Sequence, residues 1–246
     1  MDPTTVAALA ILFALAAALY SSVGHGGASA YIAAMALFSV APATMKPTAL
    51  ALNLLVAGFG AWRYWSRGLT NWKLLAAFAV TAAPAAFIGG GIHLPAIYYK
   101  PLVGILLGLA ALRLLWQPVA LAERPARPPS LSITLPAGAV LGLLAGLTGT
   151  GGGIFLSPLI ILMAWEEPRH TSGVAAAFIF VNSAAGLAGN LASVGYLPRE
   201  LPIFLAAVAG GALLGTWLGV ERLPRPWLLR ALGLVLAIAS AKLLFT

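Results

Sequence analysis

The hydrophobic positions fall in long unbroken runs rather than alternating with polar ones. Ten runs can be read, at residues 3–22, 28–40, 45–65, 72–92, 101–116, 131–147, 154–165, 171–194, 201–220 and 227–244. Continuous runs favour helices over barrel strands, whose residues alternate between lipid and lumen. A crossing needs about 20 apolar residues, because the hydrocarbon core is about 30 Å thick. Pro3, Pro47, Pro101 and Pro226 stand near the starts of runs and predict first-turn positions, where a missing N–H costs little. The run at 3–22 lacks a basic leader, so it reads as a membrane segment rather than a signal peptide. Two runs, 28–40 and 154–165, are too short to cross unaided. Each follows a glycine cluster, Gly24-His25-Gly26-Gly27 before the first and Gly149-Thr150-Gly151-Gly152-Gly153 before the second. Clusters followed by undersized arms predict a short re-entrant or broken helical hairpin in each half.

The recurrence points to a duplication. Gly24 and Gly149 are 125 residues apart, whereas Asn53/Asn182, Pro95/Pro224 and Gly104/Gly233 are each 129 apart. Extra residues around 166–171 account for the change. The chain then divides into a first membrane repeat at 1–116, a polar linker at 117–130 and a second membrane repeat at 131–246. Five segments per half is odd, so the second half enters the membrane from the opposite side. The basic residues agree: Arg63, Arg67, Lys73, Arg113, Arg124, Arg127, Arg169, Arg222, Arg225 and Arg230 fall on one side, and Lys46, Lys100, Arg199 and Lys242 on the other. The richer side is cytoplasmic by the positive-inside rule, which places the linker there and both termini outside the cytoplasm. The fold class expected is an all-α integral membrane protein, an inverted-topology repeat of two five-segment halves.

Composition supports this and removes other classes. Of 246 residues, 61% are hydrophobic and 8% charged, with mean hydropathy +0.97. Soluble domains carry about 25% charged and 45–50% apolar residues, so this chain cannot wet the surface of a globule. The net charge of +8 lies between apolar runs, which points to membrane orientation and lipid contact rather than to nucleic acid. There is no cysteine, hence no disulfide framework and no thiol nucleophile. The six acids, Asp2, Glu123, Glu166, Glu167, Glu200 and Glu221, all fall at segment ends or in loops. No carboxylate pair, metal-ligand cluster or phosphate-binding loop is present, so neither an enzyme nor a cofactor is expected.

The candidate chemistry lies in the glycine clusters. A helix starts after each break, at Ala28 and Ile154, and its first N–H groups lack intrahelical partners and carry about half a positive charge. Two such ends facing one cavity would bind an anion without a buried Lys or Arg. Close packing or helix capping is the plainer account of glycine, but it does not explain a cluster repeated before an undersized arm. The expected substrate-binding residues are Gly24, His25, Gly26, Gly27 and Ala28 with Gly149, Thr150, Gly151, Gly152 and Gly153. Asn53, Asn182 and Ser183 join them, because an amide within an apolar span needs a partner. That partner is either another helix or a ligand. Thr48 and Asn190 are weaker candidates. His25 is the candidate for a coupled proton, although a loop histidine also serves simply as a hydrogen-bonding residue.

Residues 142–158, GLLAGLTGTGGGIFLSP, and 178–187, FIFVNSAAGL, resemble the second-repeat signature of the sulfite exporter TauE/SafE family of membrane permeases. Length and two-half organisation are similar too. By position the glycine signature falls on Gly149, Gly151, Gly152 and Gly153, closed by Pro158, and in the first half on Gly24, Gly26 and Gly27. There the chain departs: Ala28 replaces the last glycine and Ala33 stands where the second half has Pro158. The resemblance implies a secondary transporter of a small anion such as sulfite, thiosulfate or an organosulfonate. Its partners would be that anion, membrane lipid and a coupling proton or cation, in the cell membrane. A passive anion channel and a membrane assembly or lipid-handling protein are the alternatives.

Overall fold

The computed structural model describes residues 1–22, 26–115, 126–193, 195–217 and 225–245. Its regular structure is helical throughout: α1 Pro3–Ser22, α2 Ala28–Leu37, α3 Pro42–Trp65, α4 Trp72–Gly91, α5 Ala96–Leu115, α6 Leu131–Thr148, α7 Gly153–Leu162, α8 Pro168–Ser193, α9 Leu201–Trp217 and α10 Arg225–Phe245. Among the described residues, α1, α4, α5, α6 and α8 are long and apolar enough to cross a membrane. Large apolar side chains such as Ile11, Val80, Leu109, Val140 and Leu213 face outward, a surface suited to lipid rather than water. Helices α2 and α7 have 10 residues each; at 1.5 Å per residue they reach about 15 Å, half the hydrocarbon thickness.

Two of the proline positions differ from the sequence expectation. Pro47 and Pro101 lie inside α3 and α5 rather than in their first turns. The cause is an upstream proline in each case. Pro42 takes the first position of α3, and the Pro95 carbonyl accepts the first bonds of α5 from Tyr98 and Tyr99, each 3.0 Å. At α1, Asp2 accepts the Thr4 and Thr5 backbone N–H groups, each 3.0 Å. Hydrogen bonds from the Thr4 and Thr5 hydroxyls, with the Thr5 N–H, hold its carboxyl well below the ordinary carboxylate range.

Polar contacts gather the helix ends at two poles. At one, the Met1 amino group meets Glu200 at 2.8 Å. Lys46 Nζ donates to the Gly90 and Ile92 carbonyls at the end of α4, both 2.8 Å. Lys242 Nζ donates to Leu37 O at 2.7 Å and Ser39 Oγ at 2.9 Å, at the end of α2. At the other pole Asn71 caps α4 through Leu74 N (3.1 Å) and donates to Glu166, while Arg127 N reaches Ala164 O at 2.8 Å. The α1–α2 hairpin therefore starts and finishes at the Lys46 pole, and α6–α7 starts and finishes at the Asn71 pole. Their closing turns match. Ser39 and Ala164, 125 residues apart, both have positive φ, at 56° and 50°. Val40 N bonds Met35 O at 3.0 Å, as Trp165 N bonds Ile160 O at 2.9 Å.

Helices α3 and α8 run antiparallel, with Gly58 beside Phe180 and Asn53 bonded to Ser183. So do α5 and α10, where Gly104 and Gly108 meet Ser240 and Gly233 meets Leu115. Buried apolar side chains form two clusters. One joins α1, α2, α3, α5, α9 and α10 around Phe13, Tyr31, Leu52, Leu107, Phe204 and Leu236. The other joins α4, α7 and α8 around Phe78, Ile160 and Phe178, with Ala137 and Leu141 of α6 against it. In a bilayer, apolar surface supplies little drive for helix association, so close backbone approach matters more. Here α6 presents Gly138, Gly142 and Gly146 to the α4 carbonyls of Phe78, Ala82 and Ala86, and α9 presents Gly211 and Gly215 to those of Ala14 and Ala18 on α1.

A β-carbon on Gly142 would stand 2.1 Å from Ala82 O, whereas one on Gly210 would meet nothing within 4 Å. Gly142→Ala is expected to destabilise the purified protein by about 1–3 kcal/mol through overpacking, and Gly210→Ala to leave it unchanged or slightly stabilised. Thermal unfolding in detergent measures both; equal melting of the two variants would contradict this packing.

Candidate functional site

Both glycine clusters follow from the need to turn the chain inside apolar surroundings. Gly149 ends α6 with φ 84°, and its N–H bonds Ala145 O at 2.9 Å. Gly151 and Gly152 also have positive φ, at 74° and 78°. Three left-handed residues so close together are feasible only with glycine. Gly149, Thr150, Gly151, Gly152 and Gly153 are all buried, as irregular backbone in a membrane protein must be. Gly27 is the N-cap of α2 and Gly152 that of α7, and neither has a side chain to cap the helix.

For α2 the missing cap comes from another helix. Asn53, fully buried on α3, accepts the Ala28 N–H through Oδ1 at 3.1 Å. Its Nδ2 points to the second cluster, with long contacts to Ser183 Oγ at 3.4 Å and Thr150 O at 3.5 Å. The two clusters converge here. A β-carbon on Gly26 would stand 2.7 Å from Asn53 Oδ1 and 2.9 Å from Ile179 Cγ2; one on Gly151 would stand 2.6 Å from Asn53 Nδ2 and 2.9 Å from the same Ile179 methyl. Gly153 packs on Ile179 as well. One amide and one branched side chain thus touch both clusters.

The second half does not repeat this arrangement. Asn182 lies three residues beyond Ile179, one turn further along α8. It is fully buried, and neither its Oδ1 nor its Nδ2 has a partner. Among the described residues no acceptor meets the N–H of Gly153 or Ile154. Among the described residues, one helix start is capped by protein and the other is not.

Of the residues expected from sequence, Gly26, Gly27, Ala28, Asn53, Thr150, Gly151, Gly153 and Ser183 are brought together, with Gly149 and Gly152 shaping the second turn and Asn182 one helical turn from Ile179. Gly24 and His25 lie outside the described residues. Thr48 bonds back to Thr44 O at 2.6 Å within its own helix, and Asn190 lines a separate cleft with Lys46. Sequence reasoning missed Ile179, which is indistinguishable from core filler by type. It also missed Tyr31, fully buried against Gly27 with its hydroxyl unpartnered, although its place one turn into the short arm was a usable signal. Tyr99 likewise supports the second turn, donating to Thr148 O at 2.9 Å.

A bundle of lipid-compatible helices enclosing irregular, polar, buried backbone defines a multi-pass membrane protein built to pass a solute. The chain belongs to the Sulfite exporter TauE/SafE family, whose profile matches residues 9–243. It is 39% identical over 245 residues to a probable membrane transporter protein, y4hK, of Sinorhizobium fredii (strain NBRC 101917 / NGR234), covering 98% of this chain and 99% of that one. It is 27% identical over 232 residues to a probable membrane transporter protein, YjnA, of Bacillus subtilis (strain 168), covering 85% of this chain and 88% of that one. No solved structure matches the chain significantly. Family and relatives are membrane transporters, not enzymes.

The two asparagines should respond oppositely to removal. Asn53→Ala leaves the Ala28 N–H buried without an acceptor and is expected to cost about 1–3 kcal/mol. Asn182→Leu removes an unpartnered amide and is expected to be neutral or stabilising. Thermal unfolding of the two variants checks this; a large loss in Asn182→Leu would mean that its amide already has a protein partner.

Proposed function

We propose that the protein is a secondary transporter of a small anion, sulfite, thiosulfate or an organosulfonate, bound at the paired glycine loops. The observation that carries the reading is the convergence of Gly26 and Gly151 on Asn53 and Ile179, with a buried, unpartnered Asn182 amide one turn beyond Ile179 on α8. In a low-dielectric interior those donors gain from an acceptor carrying negative charge. Asn182 Nδ2, the first N–H groups of α7 and the Tyr31 hydroxyl are the groups we assign to the anion. Asn53 holds the loops together. The sulfur class comes from the family, whose description names sulfite.

In this reading residues 1–116 and 131–246 are inverted repeats joined by a cytoplasmic linker at 117–130, in the cell membrane with both termini outside the cytoplasm. The hairpins α1–α2 and α6–α7 re-enter from opposite sides and meet near the midplane. The antiparallel α3–α8 and α5–α10 pairs and the matching turns at Ser39 and Ala164 support this. The two apolar clusters form the rigid bodies, and rocking along α3 and α8 opens the loops first to one side and then to the other. His25, within the first loop, is assigned the coupled proton.

Flux of radiolabelled sulfite in proteoliposomes tests the proposal. The wild type is expected to show saturable uptake that an imposed proton gradient drives to accumulation with the membrane potential clamped at zero, which a channel or a lipid-handling protein would not give. Asn182→Leu loses a charge-assisted hydrogen bond of about 1.5–3 kcal/mol and should lower kcat/KM roughly tenfold or more. Gly152→Leu, at φ 78°, should abolish flux. Unchanged saturable flux in both variants would refute the assigned site.

A further inference from the structure

A second polar constellation lies at the Lys46 pole. A narrow cleft, open at its mouth and with enclosed room for about one water, is lined by Pro42, Ala43, Lys46, His93, Leu94, Tyr99 and Asn190. It adjoins the second glycine loop. The Lys46 carbonyl would lie 3.0 Å from a β-carbon on Gly149, and Tyr99 donates to Thr148 O at 2.9 Å. Lys46 is only 5% exposed. Two of its three donors cap α4 through the Gly90 and Ile92 carbonyls, which accounts for its position but not for its charge. The α4 C-terminus carries about half a negative charge, which offsets the ammonium only in part, and among the described residues no carboxylate pairs with it. A buried cation without a counter-ion is costly. Asn190, 2% exposed, faces the same cleft with Oδ1 unpartnered, and turning its amide about the last torsion offers Nδ2 in that place.

We propose that this cleft is a second anion site, in which Lys46, with His93 and Asn190, holds a small oxyanion at the approach to the paired loops. The inference rests on the reading that the protein carries small anions. It adds a step to that reading: the anion is gathered by a full positive charge before it is passed to helix ends and amides, which bind more weakly and so release it. A cleft lined by one sign of charge raises the local concentration of the opposite ion.

The absence of cysteine permits a direct test on the purified full-length protein. Ala43, exposed in the cleft wall, is replaced as Ala43→Cys. It is then labelled with anionic 2-sulfonatoethyl methanethiosulfonate and, separately, with its cationic trimethylammonioethyl counterpart. Relative to free 2-mercaptoethanol, the anionic reagent is expected to be favoured by about tenfold or more. Sulfate at constant ionic strength should slow the labelling. Adding Lys46→Met should abolish the preference, and Lys46→Arg should retain it. A preference equal to that of the free thiol, or one unchanged by Lys46→Met, overturns the proposal. If Lys46→Met does not fold, the reagent preference and the sulfate effect with Lys46 intact decide alone. Loss of anion flux in proteoliposomes with the preference intact would count against the transport reading and leave the cleft as an anion site.

Discussion

The interior of this protein depends on how a helix can start in a place that water does not reach. Helix α2 begins after Gly27, a residue with no side chain to offer, and its exposed N–H must find an acceptor. Asn53, from the next helix, supplies it through Oδ1 and turns its Nδ2 to the opposite glycine loop. One amide therefore satisfies a helix end and joins two breaks in the chain, and Gly26 and Gly151 are required because a β-carbon on either would collide with it. Convergence of the loops, burial of their backbone and contact between α3 and α8 follow from that single placement.

Asn53 and Asn182, 129 residues apart in the sequence, stand in different chemical settings. Asn53 is used up in structure, whereas Asn182, at the corresponding place, is buried with both polar atoms unpartnered. A buried amide without partners costs about 1–3 kcal/mol and is not retained for stability. In the proposed mechanism this asymmetry is a division of labour, in which Asn53 clamps the loops and Asn182 presents a donor. It also agrees with the departures at Ala28 and Ala33, where the first half lacks the glycine and proline of the second.

Much of this was legible in the sequence, for identifiable reasons. The short arms could be read because length alone limits what can cross a bilayer, and α2 and α7 do have 10 residues each. That Asn53 and Asn182 are unusual was legible because an amide in an apolar run stands out, and both are fully buried. Their unequal use was not, since hydrogen-bond partners on other helices leave no trace in a local pattern. Ile179 and Tyr31 were hidden among ordinary apolar and aromatic residues. Pro47 and Pro101 were misplaced because a proline upstream of each moved the helix start earlier. Lys46 looked like one of the charges that mark membrane sidedness, and only the fold revealed it as a buried cation against a helix end.

The central claim is that the unpartnered groups around Asn182 and the α7 start form the seat of an anion. Ligand-dependent stability of the purified protein, measured by thermal unfolding against sulfite, thiosulfate, sulfate and methanesulfonate, tests it most directly. An anion that binds should add about 2.7 kcal/mol at 100 times its Kd to the wild type, and markedly less to Asn182→Leu at the same concentration. Equal stabilisation of both proteins, or none by any of these anions, would contradict the account.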